Sequence, residues 1–346
     1  MAHHLSIANL CVNYGSVRAV NSLALELSPG EIGCLIGPSG CGKTSVLRAI
    51  AGFEEVSAGE IVVGDRPVVS QTLSVPAEKR GLGFVFQSFA LFPHLTVTEN
   101  IGFGLSKREF DKMERDSRIT EMIDLIELSG FEDKYPDELS GGQQQRVAIA
   151  RSLAPSPDLI LMDEPFSSLD AELRLKIAQE IRGLLKEQKA TALIVTHDQN
   201  EAFAIADTVG VMSNGTLVQW DSPYRLYHKP ANRFVASFVG EGSLLEATVN
   251  ESGELVSPLG VHPAADLQAG DVYDVLFRPD DVRHNPKAEL SLPIQRKRFR
   301  GAENYFDLAL PDGQGLVSIA PSHVNPEPGE RLNVEIDLKH LVLFKR

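Results

Sequence analysis

The chain has 346 residues, of which 43% are hydrophobic and 23% charged, and its formal net charge is −14. That length exceeds one typical core and predicts about two domains. The acidic balance opposes broad attraction to nucleic acid, which depends on Lys and Arg displacing counterions, and no apolar run approaches the length that spans a bilayer.

The segment Met1 to Leu5 has neither a basic flank nor an apolar stretch of signal-peptide length, so a cytoplasmic protein is expected, with His3 and His4 solvated. Leu5, Ile7, Leu10 and Val12 alternate as in a strand. A turn at Asn13-Tyr14-Gly15 and a second alternating run, Leu23 to Leu27, complete an antiparallel edge. Tyr14 is placed either to stack on a purine ring or to pack on the sheet edge.

Gly37-Pro38-Ser39-Gly40-Cys41-Gly42-Lys43-Thr44 fits the spacing G-x-x-x-x-G-K-[ST] of a phosphate-binding loop. Ile32 to Ile36 before it suits a buried parallel strand. Val46, Leu47 and Ile50 after it, in a helix that runs through Ser45 and stops at Gly52, have helical spacing. A loop between strand and helix aims backbone N–H groups and the positive end of the helix dipole at one point, which favours phosphate. Lys43 can reach the β- and γ-phosphates and the Thr44 hydroxyl can hold Mg²⁺. Cys11, Cys34 and Cys41 show no metal-ligand spacing and read as free thiols.

Beyond this loop come a strand pair around Gly59 to Gly64, then the strand Gly83 to Phe86, which ends at Gln87. Residues 88–158 read as an inserted helical subdomain, with an apolar helical stripe over Thr120 to Ser129 (Met122, Ile123, Leu125, Ile126, Leu128). Leu139-Ser140-Gly141-Gly142-Gln143 opens a further helix with small residues and makes a second anion-seeking helix start. Leu159 to Met162 is an apolar strand that ends in Asp163 and Glu164. Paired carboxylates there call for a cation: Asp163 is expected on Mg²⁺, and Glu164 is free to take a proton from attacking water. Asp170 caps a helix carrying Leu173, Ile177, Ile181 and Leu184, and the strand Leu193 to Thr196 delivers His197 to the same sheet edge. After Gly240 come short β-like runs between Pro and Gly, including Tyr273 to Phe277 and Asn333 to Leu338, which predict a small barrel. The expected domains are 1–238 and 239–346.

These motifs together resemble the nucleotide-binding subunit of an ATP-binding-cassette (ABC) transporter, over Leu5 to about Gly240. The resemblance implies an α/β P-loop NTPase domain with an antiparallel β edge and a helical insert, followed by an all-β OB-like domain. It gives Tyr14 to the adenine, Gln87 to the metal and to catalysis, His197 a switch role and Ser167-Ser168-Leu169-Asp170 to the D-loop. It further implies ATP and Mg²⁺ as cofactors and a head-to-tail homodimer. There Ser140 and Gly142 of one chain, with Gly141, Gln143 and Asp170, contact the nucleotide held by the other chain's Lys43.

Ala90 to Ile101 is similar to bacterial importer ATPases, which implies two permease subunits or domains, a solute-binding protein acting through them, and a peripheral place on the cytoplasmic side of the inner membrane. Phe89, Leu91 and Phe92 are expected to supply apolar contact to the permease. Arg278-Pro279-Asp280-Asp281-Val282 is similar to the transport-associated OB-like domain, and Phe299 to Glu303, Ser318 to His323 and Asp337 to Val342 are similar to ferric-iron importer ATPases. The expected solute is iron(III), with polyamine, phosphonate, sulfate or sugar as alternatives and a soluble ABC machine acting on DNA or ribosomes as the rival class. The run Arg296-Lys297-Arg298 with Arg300 is expected to form a solvated edge or to meet acidic residues of the dimer, with no nucleic acid bound.

Overall fold

The computed structural model describes residues 5–105, 110–167, 169–262 and 267–346, so His3, His4 and Ser168 lie outside the described residues. The chain divides into two units, Met1–Pro223 and Tyr224–Arg346. The division falls earlier than the sequence boundary near 238, because two short helices before that point group with the β-rich second unit.

In the first unit, β1 (Leu5–Tyr14) and β2 (Val17–Leu27) pair antiparallel, as their alternating burial requires. β3 (Ile32–Ile36) is buried at every position and leads through the phosphate loop into α1 (Lys43–Ala51). β4 (Ala58–Val63) and β5 (Arg66–Val69) complete a four-stranded antiparallel sheet in the order β2-β1-β4-β5. β6 (Leu82–Val85) follows, then the helical insert with α2 (Val97–Gly102), α3 (Lys112–Leu125) and α4 (Gly141–Leu153). The chain continues with β7 (Leu159–Asp163), α5 (Ala171–Glu187), β8 (Ala192–Val195), α6 (Gln199–Ile205), β9 (Thr208–Ser213) and β10 (Thr216–Asp221).

β10-β9-β3-β8-β7-β6 form the second sheet, parallel from β9 to β6. Its apolar strands need cover on both faces. α1 provides part of it, its Val46, Leu47 and Ile50 packing in one core with Leu161 and Leu193 of this sheet and Leu5, Leu10 and Leu25 of the antiparallel one. The parallel strands therefore deliver Gly37, Asp163, Thr196 and Phe86 to one carboxyl edge, where ligands bind in open α/β sheets.

Two sequence expectations shift here. The apolar stripe over 120–129 is helical only to Leu125. The Leu128 amide returns to the Ile123 carbonyl at 3.1 Å and Glu127 takes a φ of 57°, a left-handed stop that buries Ile126 and Leu128 outside the helix. Asp170 does precede α5, yet its carboxylate makes no capping hydrogen bond. It stays exposed.

The second unit starts with α7 (Pro223–His228) and α8 (Arg233–Val239). A five-stranded antiparallel sheet has the order β13-β12-β11-β14-β20 and contains β11 (Ser243–Val249), β12 (Leu255–Ser257), β13 (Gly260–His262), β14 (Val272–Phe277) and the last strand, β20 (Leu343–Lys345). A closed barrel contains β15 (Val282–His284), β16 (Ser291–Phe299), β17 (Glu303–Ala309), β18 (Gly315–Pro321) and β19 (Arg331–Ile336). The expected barrel is present, and its Phe306, Leu308 and Leu316 share one core with Leu245 and Val275 of the five-stranded sheet. Its basic run meets carboxylates of its own unit: Arg296 and Arg298 pair with Asp307, Arg298 and Arg300 with Glu241, and Lys297 with Glu327. Such pairing consumes the charge that a phosphate backbone would need.

Candidate functional site: a phosphate-loop cavity and a separate helix start

The phosphate loop curls where only glycine fits easily. Gly42 has a φ of 103°, and a Cβ on it would stand 2.3 Å from the Ala19 carbonyl oxygen; Gly37 has a φ of 156° and would meet the Met212 carbonyl oxygen at 2.4 Å. Cys41 turns into the core, while Ser39, Gly40, Gly42, Lys43, Thr44 and Ser45 line a cavity of about 630 Å³ together with Tyr14 and Glu164. Gly37 and Pro38 lie behind it and present their carbonyls to Lys43, whose Nζ donates to them at 2.8 and 3.0 Å. Lys43 is buried. Its ammonium is thus held within the loop by weak partners that a charged phosphate oxygen would outcompete.

The Thr44 hydroxyl donates to Asp163 Oδ1 at 3.0 Å. Burial raises the Asp163 pKa, against the Thr44 hydrogen bond, so the ionised carboxyl wants a cation more than a hydroxyl. One hydroxyl and one carboxylate make a sparse donor set, which fits Mg²⁺, an ion that keeps several waters and takes other ligands from phosphate. Gln87 donates from Nε2 to Glu164 Oε2 at 3.4 Å; among the described residues its side-chain hydrogen bond goes there and not to Thr44 or Asp163. His197 Nδ1 stands 3.4 Å from the same Glu164 oxygen. Glu164 itself has a φ of 44°, backbone strain at the residue where Gln87 and His197 converge.

Tyr14 donates to Ser45 Oγ at 3.3 Å and remains 45% exposed, leaving its ring at the cavity mouth. The sequence missed the opposite wall, Val17, Arg18, Ala19, Asn214 and Gly215. Asn214 and Gly215 form the two-residue turn between β9 and β10, with φ of 47° and 79°. Asn-Gly between two strand-like runs was the available signal. The turn is stitched to its surroundings by main chain: Gly215 N–H donates to Cys41 O at 3.1 Å, and Asn21 N–H to Gly215 O at 2.8 Å. Arg80 was also missed; almost fully buried, it donates to the Ala49, Ile50 and Val75 carbonyls and fixes the far end of α1.

Ser140, Gly141, Gly142 and Gln143 do not join this cavity. They line another of about 400 Å³ with Leu169 and Asp170, and the two share no lining residue. Ser140 caps α4: its Oγ accepts from Gln143 N–H at 3.4 Å, and Gln143 Oε1 accepts from Ser140 N–H at 2.9 Å. Between the two cavities in sequence, Phe89 and Ala90 have φ of 60° and 47° and are clamped by Arg151 of α4, which donates to both carbonyls at 2.8 and 2.7 Å. Phe89 is buried there, so the apolar surface expected of it is absent; Phe92 packs on the exposed Phe103 instead.

The ABC transporter family matches residues 20–167, and the TOBE domain family matches residues 275–344. The chain is 43% identical to a sulfate/thiosulfate import ATP-binding protein of Chromobacterium violaceum, across 99% of this chain and 95% of that protein. It belongs to the ABC transporter ATPases. An Fe(3+) ions import ATP-binding protein of Photorhabdus laumondii is 44% identical over 96% of this ABC ATPase and 94% of its own length. A spermidine/putrescine import ATP-binding protein of Rubrobacter xylanophilus is 39% identical over 98% and 93%. Among solved structures, a dimeric post-hydrolysis state of the ATP-binding cassette MJ0796 with ADP and Pi aligns at a TM-score of 0.54 and 31% identity, covering 63% of this chain and 98% of that one. The protein is therefore an import ATPase of the ABC class with ATP and Mg²⁺ as cofactors, a P-loop NTPase fold and an OB-like all-β domain. Among the described residues no helix is long and apolar enough to cross a membrane.

Proposed function

We propose that two copies of this chain meet head to tail, each placing Ser140 and Gly142 over the nucleotide held by the other's phosphate loop, and that Glu164 takes the proton from the attacking water. The observation that carries this reading is the split site: one chain offers a phosphate cradle with a polarised carboxylate at its rim, and a second helix start that opens elsewhere. Two incomplete halves in one chain become complete in a pair. Within each half, Gly40, Gly42 and Lys43 bind the phosphates, Thr44 and Asp163 hold Mg²⁺, and Tyr14 stacks on the base. Mg²⁺, when bound, neutralises charge developing on the phosphate oxygens. Gln87 and His197 orient Glu164 through its Oε2, and among the described residues no hydrogen bond or ion pair occupies Oε1, which faces the attacking water. Gly141, Gln143 and Asp170 shape the surface that the partner's nucleotide meets.

Closing and reopening of this pair drives two permease subunits or domains, with the ATPase peripheral on the cytoplasmic side of the inner membrane and a solute-binding protein acting through the permease. Iron(III) is the solute we favour. The resemblance of the C-terminal residues to iron importers and the Photorhabdus relative support it; sulfate and spermidine are the competing solutes that the other relatives suggest. The dimer is tested by sizing the Glu164→Gln chain with ATP and Mg²⁺ at high protein concentration: a shift from monomer to dimer is expected, and a persistent monomer refutes it. The solute is tested in the reconstituted transporter, where the iron(III)-loaded binding protein should stimulate ATP turnover and sulfate- or spermidine-loaded ones should not.

A further inference from the structure

Beneath His197 lies a carboxylate that the hydrolytic reading does not use. Glu201, in the first turn of α6, is 2% exposed. One of its oxygens, Oε2, accepts from the Thr196 hydroxyl. Thr196 is itself buried, and its Oγ accepts from the Asp198 N–H at 3.1 Å, so this side chain brackets His197 from both sides. Among the described residues the other oxygen, Oε1, has no hydrogen-bond partner, and it stands 3.8 Å from Arg174 Nη1. Arg174, on α5, reaches back with Nε to the Leu169 carbonyl at 2.9 Å. Leu169 lines the Ser140 cavity, and a Cβ on Gly141 would lie 3.3 Å from its side chain.

A buried carboxylate with one satisfied oxygen is costly, and burial raises the Glu201 pKa, with Asp198 adding to the rise and Thr196, Arg174 and His197 opposing it. An apolar residue would fill the same space more cheaply. The arrangement makes sense as a strut: Thr196 on one side, Arg174 on the other, and through them the segment that aims His197 at Glu164 and the turn that borders the Ser140 cavity.

We propose that Glu201 is a positioning residue that ties the Thr196-His197-Asp198 segment, through Arg174, to the turn at Leu169. At 2% exposure it is placed to act through its neighbours and not on the substrate. The reaction centre of one half-site and the surface offered to the partner's half-site are thereby held in one register, so a shift at Leu169 when a second copy docks reaches His197 through three side chains. This proposal rests on the reading of Glu164 and His197 given above, and adds to it the means by which the two halves are kept in step.

Steady-state ATP hydrolysis by the full chain tests it, with Thr196→Val, Arg174→Gln and Glu201→Gln measured beside Glu164→Gln. Thr196→Val and Arg174→Gln are each expected to lower kcat about tenfold while KM for ATP stays within about twofold, because they disturb aim and not binding. The double variant should fall little further than the worse single one, since both cut the same strut. Arg174→Lys should recover part of the loss. Glu201→Gln keeps an acceptor for Thr196 and loses the charge facing Arg174, so it should match Arg174→Gln; if it fails to fold, the Thr196 and Arg174 pair decides. Unchanged kcat in both single variants, or strictly multiplicative losses in the double, overturns the proposal while an inactive Glu164→Gln leaves the hydrolytic reading standing. Near-normal turnover by Glu164→Gln overturns both.

Discussion

The two cavities of the first unit are built on opposite plans. At the phosphate loop three groups are already under tension: Lys43 is buried on carbonyls, Asp163 is buried on a hydroxyl, and Glu164 sits in a left-handed backbone conformation. At the Ser140 helix start the groups are exposed and already satisfied, with Ser140 and Gln143 closing on each other. A preformed site stores unmet demand for its ligand, whereas a docking surface stays content until something arrives. On the proposed reading, nucleotide binding belongs to the first and completion by a partner to the second.

The sharpest way to break this contrast is Glu164→Gln. With Glu164 as the proposed proton acceptor, this change should lower kcat by roughly a hundredfold or more while ATP still binds, measured by turnover and by nucleotide titration in the same preparation. Lys43→Ala comes next. Loss of a charge-assisted contact of about 1.5–3 kcal/mol should weaken ATP binding by roughly ten- to a hundredfold, read by calorimetric titration. Ser140→Ala should leave single-chain ATP affinity unchanged, cost about 1 kcal/mol of stability through the lost cap, and weaken ATP-dependent association in sedimentation runs. Reduced affinity in the isolated chain would erase the distinction between the two cavities.

The smallest effect lies in the second unit. Arg298 holds the Glu241 carboxyl below the usual carboxylate range, with Arg300 adding to the pull. A depressed folded-state pKa contributes stability that is present above the unfolded value and is lost as pH falls through the folded one. The unfolding temperature of the full chain should therefore drop between about pH 5 and pH 3, and drop less in Glu241→Gln. Equal pH dependence in the two proteins would remove Glu241 from the account.

The preformed site was the legible one. Its residues announce themselves because strand ends, glycines with positive φ and a lysine at fixed spacing are local constraints, readable within ten residues. The closed barrel followed from short strands between turn residues, and the parallel sheet from apolar runs that need cover on both faces. Contacts across long sequence separations stayed hidden. Nothing near Arg80 shows that it reaches α1, and nothing near Phe89 shows that Arg151, in a helix of the insert, draws it inside. The stop at Glu127 escaped because a left-handed residue is expected to be glycine or asparagine, and here its carboxylate meets Arg146 at 3.1 Å.

The turn at Asn214 and Gly215 has a consequence for how such a protein tolerates change. It braces the nucleotide cradle through a main-chain amide and a main-chain carbonyl, so side chains beyond the turn can drift without disturbing it, whereas a Cβ on Gly215 would stand 2.9 Å from the Ala19 carbonyl oxygen. Chain length is another matter: one residue gained or lost there would slide both amide links out of reach together. Substitutions around this hairpin should accumulate, and insertions should be purged.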